Sequence, residues 1–359
     1  MKTPPPPPMP EQSAGPAGDG SLVTMHDVAQ AAGLSRATVS KYFNADDGLK
    51  ASTRARIEKA CRELGYVPQM HAVSLVKGKS HLVGVIVPAI GEPFFAMMLE
   101  VLEREAARVG LQLIIQSSNN DPAREAAALL AFRAMKLHGV IVTVLDAEQN
   151  RPLLDKLEQE MRIVHLDSYL HPNCHYVMND NVQSIGLMTE YFLSRGRRPC
   201  YLGAPKIANP SRDERLAGYV QAMERAGETP RVIPVDTQAS TWAFEAYAYE
   251  QTLNWLGSGE WLKAEIDGVI CATDRLALGV MRAFRKIGKE PGRDIWISGH
   301  DDLGFAEYIQ PGLTTLRQDI DSIGRAAIEC LQLPDEHFSA DRPYFQQRFP
   351  GRLVLRESA

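Results

Sequence analysis

The chain has 359 residues, 45% of them hydrophobic and 23% charged, with a formal net charge of −5 at pH 7. That size and balance suit a globular protein of two or three compact units and exclude a fibrous or largely disordered one. The five cysteines are widely spaced and never form a C-x-x-C pair, which argues against a disulfide framework and against a structural zinc site, so no metal is expected.

Residues 1–20 are rich in Pro, Gly and Ala and almost free of apolar side chains, so they are expected to form a disordered tail. They lack the apolar core of a secretory signal, and no apolar run in the chain approaches the ~20 residues that span a bilayer. A cytoplasmic protein without a membrane partner is expected. Three short helices follow. Thr24 and Asp27 form a capping-box pair for the first, Gly33 ends it, Ser35 caps the second, and the third runs from near Ser52 to Gly65. Val28, Leu34, Val39, Ile57 and Leu64 would make a very small core.

Tyr66-Val67-Pro68 breaks the helical pattern, and from Leu82 the texture changes to strand and helix in alternation. Strands are expected at 82–87, 111–115, 139–144 and 162–166, with helices at 94–108, 122–136 and 150–160. The pattern restarts near residue 178, with helices at 182–194, 212–226, 241–256 and 274–287 and strands at 199–202, 231–235, 267–271 and 294–298. Strict alternation predicts parallel sheets flanked by helices, and two successive sets predict two lobes.

Charge is unevenly placed. Residues 21–80 carry nine Lys/Arg against five acids, a net +4, which leaves about −9 for the rest. A basic head on an acidic body directs only the head toward a polyanion. The first two helices fit a helix-turn-helix, in which the second helix lies in the major groove. Its leading residues Arg36 and Ala37, and Lys41 one turn on, are the candidates for base readout. Arg and Lys donate to guanine, and Ala touches only a thymine methyl. Thr24, Thr38 and Ser40 are hydroxyls suited to phosphates. On spacing and charge alone, a protein-binding three-helix module stays open.

The segment Thr24-Met25-His26-Asp27-Val28-Ala29-Gln30-Ala31-Ala32-Gly33-Leu34-Ser35-Arg36-Ala37-Thr38-Val39-Ser40 resembles the T-x-x-D-V-A-x-x-A-G-V-S-x-x-T-V-S signature of the LacI/GalR regulators. Phe43-Asn44, Thr53-Arg54-Ala55-Arg56-Ile57 and Leu64-Gly65-Tyr66-Val67-Pro68 continue the likeness, which extends over roughly residues 24–356. The resemblance implies an α/β protein: a small all-α helix-turn-helix head and a two-lobed body like the periplasmic binding proteins. The implied divisions are a head at 21–68, a hinge at 69–79, a first lobe at 80–177 and 312–333, and a second lobe at 178–311 and 334–359. It implies a hinge helix whose Leu75, beside Ser74, wedges into the minor groove of double-stranded operator DNA. It also implies a homodimer, or a tetramer of such dimers, with Met97, Met98, Leu278 and Met281 available for the dimer surface.

In this family a small effector sits between the lobes, and open parallel sheets bind ligands at the carboxyl ends of their strands. The resemblance places Phe94, Phe95, Asp167, Arg215, Trp242, Asp274 and Asp301 around that effector, with Asp274 also a candidate cap for its helix. Acids, an arginine and aromatic faces suit a polyhydroxylated ligand: a sugar, sugar alcohol or sugar acid. Two departures lie beside the site: Gly91-Glu92 replaces a small polar residue plus Asn, and His300 replaces an aromatic. The expected function is operator-specific transcriptional repression of carbohydrate-related genes, relieved by the effector. A purine- or nucleoside-responsive, corepressed regulator and a solute receptor without a DNA role are the alternatives. No G-x-S-x-G, H-E-x-x-H, G-x-x-x-x-G-K-[ST] or strand-following G-x-G-x-x-G is present, so no enzyme and no cofactor is expected.

Overall fold

The computed structural model describes residues 23–43, 48–66, 80–144, 148–204, 210–234, 243–338 and 343–359. The chain divides into two units at Gly78. The Pro-rich segment, Ser74, Leu75 and Trp242 lie outside the described residues.

The first unit is the head, with α1 (Met25–Ala32), α2 (Arg36–Phe43) and α3 (Ala51–Leu64). Helix α1 starts where it does because Thr24 and Asp27 cap each other. The Thr24 N–H donates to the Asp27 carboxylate at 2.8 Å, and the Asp27 N–H donates to the Thr24 hydroxyl at 3.4 Å. It stops at Gly33, whose φ of 61° is one that only glycine adopts cheaply. Arg56 of α3 closes the turn by donating to the carbonyls of Ala32 at 2.6 Å and Gly33 at 3.1 Å. Ser35 then caps α2 by accepting the Thr38 N–H at 3.2 Å. Val28, Ala29, Ala32, Val39, Ile57 and Ala60 form the core, with Leu34 and Leu64 half-buried at its margin.

The second unit begins with β1 (Leu82–Val87), α4 (Pro93–Arg108), β2 (Gln112–Ser117), α5 (Pro122–Ala134), β3 (Gly139–Val142), α6 (Arg151–Leu157), β4 (Ile163–Leu166) and β5 (Tyr176–Asn179). It continues through α7 (Asn181–Ser194), β6 (Pro199–Leu202), α8 (Pro210–Arg225), α9 (Phe244–Ser258), α10 (Glu260–Lys263), β7 (Gly268–Cys271), α11 (Asp274–Lys286) and β8 (Trp296–Ser298). It ends with β9 (Thr315–Arg317), α12 (Ile320–Gln332), β10 (Gln346–Phe349) and β11 (Arg352–Val354).

Among the described residues the first lobe carries a parallel sheet ordered β10-β5-β4-β3-β1-β2. Side chains alternate across a strand, so one strand feeds two cores. Val83, Val85 and Val87 pack with Phe94, Met98 and Ile323 on one face, while Ile86 packs with Leu129, Phe132 and Leu154 on the other. Burial on both faces explains the continuous apolar run of β1. The second lobe has the parallel order β6-β7-β8, with helices α7, α8, α9 and α11 packed around it.

Several boundaries differ from expectation. The strand expected at 231–235 is reduced to one bridge, Tyr201 to Val232, because Pro230 and Pro234 flank it and lack the ladder N–H. Residues 334–359 were assigned to the second lobe, yet β10 is the edge strand of the first-lobe sheet. Residues 312–317, assigned to the first lobe, belong to the second: Thr314 bridges Ser298, and β9 pairs antiparallel with β11 in that lobe's core. The chain thus passes between lobes at Asp180, at Gln318-Asp319 and at Pro350-Gly351. Met98 and Met281, expected at a dimer surface, are buried in the lobe cores because each lies on the inward face of its helix. No helix of the described residues is long and apolar enough to cross a membrane.

Candidate DNA-reading and effector sites

On the head, capping determines what α2 presents. Val39 points into the core, while Arg36, Ala37 and Lys41 are exposed. Thr38 is less available for a phosphate than its residue type suggests, since its hydroxyl lies 2.9 Å from that of Ser35. Thr24 is likewise engaged, with its hydroxyl donating to Asp27 at 2.7 Å. Those bonds hold the Asp27 carboxyl below the usual carboxylate range. Ser40 is half-buried on α2.

In the body, the residues at the carboxyl ends of β1, β4, β7 and β8 are Glu92, Asp167, Asp274-Arg275 and His300-Asp301, each reached within a few residues of its strand. Buried Arg215 of α8 reaches Asp301 among them. Its Nε donates to Asn181 Oδ1 at 2.9 Å and its Nη1 to the Ala272 carbonyl at 2.8 Å, while its Nη2 lies 3.9 Å from Asp301 Oδ1. Asp301 Oδ1 also accepts from Gln318 at 2.7 Å and sits 2.9 Å from His300 Nδ1. A carboxylate only accepts, so the His300 proton resides on Nδ1 and Nε2 is a bare acceptor. That Nε2 is buried without a hydrogen-bond partner. Burial, reinforced by Arg215, lowers the His300 pKa to about 4, so the ring is neutral at physiological pH.

Asp167 Oδ1 is a second buried acceptor without a partner. Burial pushes the Asp167 carboxyl up to about 7, with Arg215 opposing and Asp301 adding to the shift. Its backbone is in the left-handed region at φ 53°, as is that of Asp301 at φ 118°. Strained non-glycine backbone of this kind concentrates at ligand sites. The Asp167 carbonyl accepts from the hydroxyl of Ser211 on α8, so first and second lobes meet there.

A second contact between the lobes was not anticipated as a site feature. Glu92, at the start of α4, is buried and accepts from Arg275 Nη1 of α11 at 2.5 Å. Arg275 also donates to both oxygens of Glu245 on α9, at 2.6 and 2.7 Å. Burial still carries the Glu92 carboxyl up to about 7 against the pull of Arg275. Sequence marked Glu92 and His300 as departures, but nothing local marked Arg275, whose partner lies 183 residues away.

Two expected roles change. Phe94 and Phe95 are both buried in the first-lobe core, edge to face at 5.3 Å, so their rings are engaged in packing. Asp274 does not cap α11: Thr273 does, by accepting the Leu276 N–H at 3.2 Å. The fully buried Asp274 carboxylate instead accepts from the Leu303 N–H at 2.7 Å and from the Thr315 hydroxyl. Those bonds secure the loop that bears Asp301.

Comparison with known proteins fits this arrangement. Residues 24–69 match the model of bacterial regulatory proteins of the lacI family, and residues 189–359 match a periplasmic binding protein-like domain. The chain is 30% identical over 315 residues to the HTH-type transcriptional regulator PtxS of Pseudomonas plecoglossicida, covering 86% of this chain and 88% of that one. It belongs to the LacI family. As a member it is a DNA-binding transcriptional regulator and not an enzyme. The Ribose operon repressor of Halalkalibacterium halodurans is 26% identical over 338 residues, 94% of this chain and 97% of its own. A crystal structure of the Lac repressor bound to ONPG in the repressed state aligns at a TM-score of 0.82 with 25% identity, covering 94% of this chain and all of the other.

Proposed function

We propose that this LacI-family protein represses carbohydrate-related genes by binding a pseudo-palindromic operator as a dimer, and that a polyhydroxylated effector between its lobes releases it. Arg36, Ala37 and Lys41 would read base edges; Thr24, Thr38 and Ser40 would set register on phosphates, with Ser74 and Leu75 entering the minor groove. The observation that carries the effector class is the pair of buried, unpartnered acceptors, Asp167 Oδ1 and His300 Nε2, both within the electrostatic reach of Arg215. Sugar hydroxyls donate and accept at once, so one ring satisfies both kinds of group. Buried polar atoms left unmatched cost about 1–3 kcal/mol each, which favours such a ligand over an apolar one. The resemblance to the Ribose operon repressor supports the same class.

Release follows from linkage. An effector shifts operator affinity only by its differential affinity for two lobe arrangements, typically ~1–3 kcal/mol. The test is a random-duplex selection with the full chain at fixed physiological salt, followed by a screen of sugars, sugar alcohols and sugar acids against the recovered site. One inverted repeat, released by a polyhydroxylated compound, is expected. Enrichment only when purines or nucleosides are present would instead establish corepression, and no enrichment under either condition would overturn the operator reading.

A further inference from the structure

The first lobe holds a cluster outside the effector site. Glu158 caps the carboxyl end of helix α6, and Asp155 lies one turn earlier. His165 is on β4, and His171 and Cys174 are on the connection from β4 to β5. Glu158 Oε1 lies 2.7 Å from His165 Nε2, and Glu158 Oε2 lies 3.4 Å from His171 Nε2. His171 Nε2 is also 3.5 Å from Asp155. One ligand atom each from Glu158, His165 and Cys174 falls within a 4.8 Å cluster. His165 and Cys174 are buried, while Glu158 is partly exposed.

We propose that Glu158, His165 and Cys174 bind a zinc ion, with His171 as the outer partner of the Glu158 carboxylate and Asp155 behind His171. A thiolate, an imidazole and a carboxylate make a borderline-soft donor set that suits zinc and not magnesium or calcium. Zinc bonds of about 2.0–2.3 Å to these atoms require the three to draw together by roughly an ångström. Little opposes that movement: Cys174 gives up a weak S–H bond to the His171 carbonyl at 3.1 Å, and His165 exchanges its bond to Glu158 for one to the metal. One thiol proton leaves for solvent, and the His165 proton moves to Nδ1. Nδ1 has no acceptor in the structure. The site thus lacks a partner worth about 10–100-fold in affinity, and binding weaker than that of a fully braced zinc site is expected. The ion enters past Glu158. A C-x-x-C search misses such a site because its ligands converge only on folding.

The site lies beside the effector cleft in sequence. His165 precedes Asp167 by two residues, and the same connection runs on to Cys174. A bound ion would fix both ends of the segment that starts with Asp167. Metal-dependent effector affinity is the consequence; it rests on the effector reading above, whereas metal binding itself does not.

The test uses the full-length chain without a polyhistidine tag, stripped with chelator and titrated with Zn²⁺ and with Co²⁺ in the absence of effector. One equivalent per chain is expected, with a thiolate-to-cobalt charge-transfer band that persists in Cys61→Ser. Cys174→Ser should abolish the band. His165→Asn should weaken Zn²⁺ by more than the roughly 10–100-fold typical of outer-partner loss, and His171→Ala by about that range. No stoichiometric binding, binding without the thiolate band in wild type, or a band that survives Cys174→Ser would overturn the proposal. The wild-type cobalt spectrum decides the matter even if the ligand variants fail to fold.

Discussion

Asp167 illustrates how one residue couples site chemistry to stability. Its carboxyl titrates near 7 in the folded chain and near 3.8 when unfolded. The folded state therefore holds the proton more tightly, and the associated stability is present below about 4 and lost as pH rises through about 7. Glu92 behaves the same way with a folded value of about 7. Replacing Asp167 by Asn should flatten melting temperature against pH over that window and stabilise the body at pH 8 by on the order of 4 kcal/mol. An unchanged profile would show that Asp167 ionises freely. The same variant should weaken effector binding, since an amide cannot accept at both of its polar atoms.

Elements hold these residues through close backbone approach and capping. Gly218 of α8 sits against α7 so tightly that an added Cβ would lie 2.5 Å from the Val182 carbonyl oxygen. That is the physical reason for the glycine after Arg215-Leu216-Ala217. Gly218→Ala should force the two helices apart at a cost of about 1–3 kcal/mol, and should loosen the Arg215–Asn181 bond along with effector affinity. Urea unfolding together with effector titration would measure both. In the head, Thr24→Ala should cost about 1 kcal/mol by removing half of the capping box, and Thr24→Ser should restore most of it. Thermal unfolding of these variants separates the capping role from any phosphate contact, which appears only in operator affinity.

The caps and the strand-helix alternation were readable because they are local patterns. Thr24, Gly33, Ser35 and Gly65 act where they stand in sequence, and the heavily buried β1 announces itself as an apolar run. What escaped was short or distant. Strands β9 and β11 have three residues each, too few for a periodicity, and their lobe is decided by pairing with each other. Arg275 gains its role between the lobes from Glu92, far away in the sequence. Asp274 looks like a cap in sequence, and its true partners, Leu303 and Thr315, arrive from far along the chain.

At the scale of the whole body, contacts across the cleft set the balance between lobe arrangements. Glu92–Arg275 is one; another is the bidentate pair of Arg348 on β10 with Glu214 on α8, at 2.8 Å for both bonds. Glu92→Gln removes the charge from the first, while Arg275 keeps Glu245. Since Glu92 bears its charge against burial, as Asp167 does, the neutral amide should favour the arrangement in which the lobes meet above pH 7 and shift the effector midpoint for operator half-release, about fivefold for each 1 kcal/mol. Fluorescence anisotropy of labelled operator would report the shift, and a midpoint equal to the wild-type value would remove Glu92 from the balance.

The three crossings at Asp180, Gln318-Asp319 and Pro350-Gly351 carry a mechanical consequence. A body joined to another at a single point swivels freely, whereas three side-by-side tethers suppress twisting and sliding and leave bending as the soft motion. Energy delivered by a ligand is then channelled into a single angular coordinate instead of being spread over many. Cutting one tether with a protease would leave the halves associated but free them to rotate, so a nicked protein should retain its ligand and transmit less of that binding to the DNA.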